Sequence, residues 1–215
     1  MVMPGKEKDI RYHTILLLIF GIVFIWSMIS PKDYFTWFLE VLPAIIGVLV
    51  LILTFKRFPF TKFTYALILL HCCILMVGGH YTYAEMPLFD WIKEVFHQSR
   101  NNYDKVGHFA QGFVPAIISR ELLIRMKVIN GKGWLHFVVL SICVSMSAAY
   151  EFIEWFAALI IGEASDSFLG TQGYVWDTQS DMLYATIGAI AALILLSKIH
   201  DKKINEIAGC EKDRG

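Results

Sequence analysis

The sequence predicts an all-α fold: a polytopic membrane bundle of six transmembrane helices with one short helix lying on its outer surface. Three observations carry that expectation. Of 215 residues, 56% are hydrophobic and only 18% charged, where a soluble domain is about a quarter charged. Apolar stretches near the ~20 residues that cross a bilayer core recur along the whole chain. Basic residues gather on alternate connections between those stretches, as they do on the cytoplasmic side of a membrane protein.

The first span is expected at about 14–30. Ser30-Pro31-Lys32-Asp33 follows it with no small-x-small cleavage site, so it reads as a retained helix. The next two are expected at 34–55 and 63–79. The fourth, 104–126, is the weakest, because Arg120, Glu121 and Arg125 interrupt its far end. The fifth and sixth follow at 134–161 and 178–199. Between the third and fourth spans, Leu88, Trp91, Ile92, Val95 and Phe96 recur at helical spacing, with Asp90, Lys93, Glu94, His97 and Gln98 on the other side. Pro87 stands ready for a first helical position, so 86–98 reads as a surface helix.

With the N-terminus inside, only Lys32, Lys93, Arg100 and Lys105 of the 19 basic residues fall outside. Both termini are therefore expected in the cytoplasm, as a segment 1–13 and a tail 200–215 flanking a membrane domain 14–199. Trp26, Trp37, Trp91 and Trp176 fall near the outer boundary and Trp134 near the inner one. The zero formal charge gives no case for nucleic-acid binding. Cys72 and Cys73 are neighbours in an apolar run, Cys143 lies in another and Cys210 in the charged tail, so no disulfide framework is expected. This composition excludes a soluble enzyme, a disordered tail protein and a small disulfide scaffold.

Ionisable groups inside membrane helices are costly and mark candidate sites. In the fourth span Asp104, His108, Gln111 and Pro115 follow i, i+4, i+7, i+11. Ser147, Glu151, Glu154 and Ala158 repeat that spacing in the fifth. In the sixth, Asp177, Asp181 and Tyr184 share a face that continues through Ala185 and Gly188. Ala185, Gly188, Ala189 and Ala192 mark it as a surface another backbone can approach. The third span exits outward at Gly78-Gly79-His80, so all these groups converge in the outer half of the bundle. Five carboxylates there face His80, His108 and Lys105, so either some acids are protonated or a cation completes the site. Simpler roles compete. Asp104 and Asp177 fit helix caps, Lys105 fits a snorkelling side chain, and Glu40 and His71 fit isolated interior polar groups.

At these residues the sequence resembles a known family. The strings GGHYTYAEMP, RNNYDKVGHFAQGF, AAYEFIEW and GTQGYVWDTQSDM look like the YjdF family of bacterial inner-membrane proteins, across essentially the whole chain. The resemblance implies an inner-membrane architecture rather than a reaction. More distantly, Asp104, Lys105, His108 and Phe109, then Glu151 or Glu154, then Asp177 and Asp181, are similar to the pattern of VanZ-like membrane proteins. The glutamine that often follows that glutamate, and the arginine and asparagine that often frame the aspartates, are absent here.

The expected site therefore has His108, Glu151, Glu154 and Asp181 as catalytic candidates. Asp104, Lys105, Gln111, His80, Tyr83, Gln172 and Asp177 are the substrate-binding candidates. Carboxylate oxygens with histidine nitrogens suit a divalent metal whose bound water would attack a lipid or envelope substrate, although no HExxH, histidine box or CxxC is present. An accessory membrane protein whose polar cluster only locks helix packing is the competing reading. An ion or small-molecule carrier ranks behind it, because no internal repeat is visible.

Overall fold

The computed structural model describes residues 4–161 and 175–212, and every regular element in them is an α-helix. In chain order these are α1 (Pro4–Met28), α2 (Tyr34–Thr54), α3 (Lys62–Tyr81), α4 (Pro87–Val95), α5 (Tyr103–Arg125), α6 (Lys132–Ile161) and α7 (Asp177–Lys212). Five are long and apolar enough to cross a membrane: α1, α2, α3, α6 and α7. With 23 residues α5 matches them in length, but its five formal charges keep it below their hydropathy.

Helix ends follow local chemistry. The Asp33 carboxylate accepts from the Thr36 amide at 2.7 Å and starts α2; that bond holds the Asp33 carboxyl below its usual range. The Thr61 hydroxyl accepts from the Thr64 amide and starts α3. Pro87 opens α4 at a position where its missing N–H costs nothing. A short helix is thus present between α3 and α5, with Leu88, Trp91, Val95 and the following Phe96 exposed.

The segment 200–212 is not a separate tail but the continuation of α7. No glycine or proline interrupts the run between Gly188 and Gly209, and His200 and Ile204 are buried against the bundle.

Two packed cores hold the bundle. In one, Trp37, Val41 and Ala44 of α2 meet Cys72 and Met76 of α3, with Phe20, Val23 and Phe24 of α1 laid against them. In the other, Ala116 and Ile117 of α5, Val139 and Cys143 of α6, and Ala189 and Ala192 of α7 interlock. The α5–α7 contact is the closest. A Cβ on Gly112 would run into the Ala185 carbonyl, and one on Gly188 into that of Phe109. The small residues of α7 therefore do bring two backbones together. Large apolar side chains of the outer helices, Leu53, Ile160 and Ile194 among them, point away from the protein. An apolar exterior around a polar-bearing interior is what a lipid solvent selects.

Candidate functional site

The site is built around the start of α5. Asn101 anchors it: its Oδ1 accepts from the Tyr103 amide at 3.1 Å, and its Nδ2 donates to the Met86 carbonyl and to Asp90 of α4. The Tyr103 hydroxyl donates to the Ile74 carbonyl of α3 at 2.9 Å. With the amide of Tyr103 already satisfied, Asp104 is not a cap. Its carboxylate Oδ1 lies 3.2 Å from His108 Nε2, one turn on.

His108 is the hub. Its Nε2 also faces Asp181 Oδ2 at 3.7 Å, and its Nδ1 lies 3.0 Å from Gln111 Oε1 and 3.9 Å from Glu151 Oε1. Glu151 and Asp181 thus touch opposite sides of one imidazole ring, so the stripes of α5, α6 and α7 do meet. Glu151 is 7% exposed, and its Oε1 has no hydrogen-bond partner among the described residues; the same holds for the buried Ser147 Oγ one turn earlier.

Lys105 does not snorkel. It is 8% exposed, and its Nζ donates to Asp177 Oδ1 at 2.8 Å and to Asp181 Oδ1. Arg100, in the loop before α5, donates to both oxygens of Asp177 at 2.8 and 2.9 Å. Burial opposes the Arg100 charge, yet the paired Asp177 holds the guanidinium above its ordinary pKa. Asp177 therefore also does more than cap its helix.

A cavity of about 320 Å³ opens beside this cluster between α2, α3, α5 and α6. All four residues of the α5 stripe, Asp104, His108, Gln111 and Pro115, line it, together with Tyr83 and Glu154. Tyr83 is buried, and burial lifts its phenol well above the usual range, with the nearby Glu40 carboxylate adding to the effect; it stays a neutral hydrogen-bonding group. Glu154 also lines a second cavity of about 290 Å³, bounded by Glu151, Trp155 and Met182. Pro43 in α2 and Pro115 in α5 border the main cavity, each removing a backbone hydrogen bond where space is needed. On its α6 side Met146 and Ile153 line the cavity while 46% and 58% exposed, and α2 is not closely packed on α6. The cavity wall is thus partly open along its α6 side.

Two expected members fall elsewhere. His80 turns to α1, with Nδ1 3.0 Å from the Ser27 carbonyl and its ring on Trp26. It ties α3 to α1. Tyr184 is 39% exposed, so the α7 site face runs from Asp181 to Ala185 without it. Gln172 lies outside the described residues, as does the side chain of Ala158.

Sequence reasoning missed four contributors. Glu40 and His71 line the cavity rather than standing alone, and the Tyr150 hydroxyl donates to Glu40 Oε2 at 3.5 Å. Arg100 was visible only as an outer charge. A lone acid in an apolar run was the available signal for Glu40, since it demands a partner from another helix.

A second polar centre sits at the opposite end of α5. The fully buried Glu121 accepts from the Thr61 amide at 2.7 Å and from the Thr61 and Thr64 hydroxyls at 2.9 and 2.5 Å. Arg125 and His200 Nε2 each lie 3.0 Å away, and Arg120 pairs with Asp201 at 2.5 Å. Both Glu121 oxygens are engaged, so this knot fastens α3, α5 and α7, while the buried Arg120 Nε has no hydrogen-bond partner among the described residues.

Comparison with known proteins agrees with this architecture. The family described as "Predicted membrane protein (DUF2238)" matches residues 12–202. The inner membrane protein YjdF of Escherichia coli (strain K12) is 47% identical over 183 residues, covering 85% of this chain and 88% of that protein. No solved structure matches. The match takes in all the long helices and both polar centres. The chain is an integral membrane protein belonging to the DUF2238 family.

Proposed function

We propose that this chain crosses the inner membrane six times with both termini in the cytoplasm, and that its cavity binds the polar end of a membrane lipid or envelope-derived amphiphile. The observation that carries the reading is the partly open α6 side of a cavity with polar groups at one end. Asp104, Glu154 and Tyr83 lie towards the outer end. Pro115 stands eleven residues along α5, about 16 Å deeper, where Met146 supplies apolar wall. A ligand entering from lipid would keep its chain in hydrocarbon while its headgroup meets carboxylates, tyrosines and imidazole.

The sixth span in this reading is α5. Its formal charges are confined to its two ends, at Asp104–Lys105 and from Arg120 onward, and its 23 residues reach about 34 Å. Neighbouring helices cover its polar groups, so its low hydropathy carries no lipid cost. The VanZ-like spacing of His108, Glu151 and Asp181 is read here as a shared arrangement of site groups, not as a shared substrate.

The test is native mass spectrometry of protein released from lipid nanodiscs. One lipid or amphiphile should remain bound per chain, and Met146→Trp, which fills the cavity, should remove it. Equal lipid retention by Met146→Trp and the parent would end this reading. It would favour the accessory one, for which the buried Lys105–Asp177–Asp181 network locking α5 to α7 is the supporting observation.

A further inference from the structure

We infer that Asp104, His108 and Asp181 form a divalent metal site of the zinc type, at the polar end of the cavity. Each residue leaves one donor atom facing a shared point. Asp104 Oδ1 and Asp181 Oδ2 lie 3.2 and 3.7 Å from His108 Nε2. All three ligand atoms fall within 4.8 Å of one another. A tetrahedral ion with bonds of about 2.0–2.2 Å places neighbouring donors about 3.3–3.6 Å apart, so a single ion fits with small side-chain shifts.

The remaining atoms of the three ligands are already held. Lys105 Nζ binds Asp181 Oδ1, and it lies 3.7 Å from Asp104 Oδ2, which Arg100 also approaches at 3.6 Å. Gln111 Oε1 lies 3.0 Å from His108 Nδ1. In the tautomer whose Nδ1–H donates to Gln111 Oε1, the Nε2 lone pair faces the two aspartates, as a metal ligand requires. Metal sites commonly orient their ligands in this way. One oxygen of each aspartate is thus anchored while the other faces His108.

Glu151 adds a charge argument from the other edge of the ring. Its unpartnered, buried Oε1 lies 3.9 Å from Nδ1, away from the ion position but within the same cluster. With Glu154 and Glu40 lining the adjoining cavity, carboxylates outnumber Lys105 and Arg100 among the described residues of this region. A doubly charged ion offsets that excess without burying further side chains. Imidazole with carboxylate donors suits zinc or its neighbours rather than calcium. Because Asp104 and His108 line the cavity and Asp181 closes the other side, a fourth coordination position would open into the cavity, where water or a ligand oxygen can sit.

The inference does not depend on what fills the cavity, and its test uses metal alone. The full chain, purified in detergent and stripped with a chelator, is titrated with cobalt(II) chloride and then with zinc chloride. One cobalt per chain should bind with the visible absorption of a four-coordinate site, and zinc should displace it. His108→Ala and Asp181→Asn should lose at least tenfold in affinity. Gln111→Ala, which keeps every ligand, should lose about 10–100-fold. His97→Ala, an exposed histidine on the surface segment, should bind like the parent. Sub-stoichiometric cobalt without those bands overturns the site, as does Gln111→Ala binding as tightly as the parent. If His108→Ala fails to fold, the Gln111→Ala result decides.

Discussion

Lys105 reaches Asp177 across the α5–α7 seam at 2.8 Å, and both side chains are withdrawn from solvent. The same ammonium holds Asp181, so one cation at the start of α5 collects the acids of the first two turns of α7. Removing a charge from such a buried set strands its partners. Lys105→Met should therefore cost about 3–5 kcal/mol, read as a large fall in the thermal midpoint in detergent. Arg100→Met should cost less, because that side chain is partly exposed and Lys105 still serves Asp177. An unchanged midpoint for Lys105→Met would contradict the structural weight given to this pair.

The two buried glutamates should respond in opposite directions. Glu121 accepts several bonds, including charge-assisted ones worth about 1.5–3 kcal/mol each, so Glu121→Gln should destabilise the chain. Glu151 has an oxygen with no partner and carboxylates nearby, so Glu151→Gln should leave stability unchanged or raise it. Thermal scans of both variants on metal-stripped protein read the comparison. A larger loss from Glu151→Gln than from Glu121→Gln would reverse the roles assigned to the two polar centres.

Backbone proximity makes a third expectation. At Gly188 a Cβ meets the Phe109 carbonyl, whereas at Gly47 nothing lies within 4 Å. Gly188→Ala should force α5 and α7 apart and cost about 1–3 kcal/mol or more. Gly47→Ala should be neutral or stabilising, since alanine is the better helix former. Folded yield by size-exclusion chromatography separates the two, and equal yields would mean that the seam is looser than described.

Orientation is checked by reporter fusions. Fusions after Phe58, Gln98 and Lys212 should report inside, outside and inside. A periplasmic signal at Phe58 would invert the bundle and move the His108 cluster to the cytoplasmic half.

The short helix α4 gives the last expectation. It is tied to the site through the Asn101 bridge to Met86 and Asp90, and it exposes Trp91 and Phe96. A spin label at Trp91→Cys should show headgroup-level depth in bilayers. A fully aqueous label would remove α4 from the rim of the cavity.

Much of this was legible because helical spacing is strictly periodic. Asp104, His108, Gln111 and Pro115 had to share a face, and all four line the cavity. What spacing cannot give is the angle at which a face meets its neighbours. His80 therefore turned to Ser27 and Tyr184 turned outward, although both sat at suitable positions. Glu40 and His71 were illegible for a related reason: the groups around them come from α5 and α6, far away in sequence. Glu121 looked like a break in hydropathy, because hydropathy counts a charge without the five donors around it. The length of α7 was hidden likewise, since a charged run past a membrane reads as a tail until its buried His200 is seen.

The knots at either end of α5 make it a beam clamped twice. Lys105 fastens one end to α7, and Glu121 fastens the other to both α3 and α7. A clamped beam transmits load but does not swing. Any widening at that side of the cavity would then fall on α2 and α6, which the Tyr150–Glu40 hydrogen bond at 3.5 Å joins without a charged knot among the described residues. The spacing of Asp104 and His108, both on the clamped helix, would stay constant.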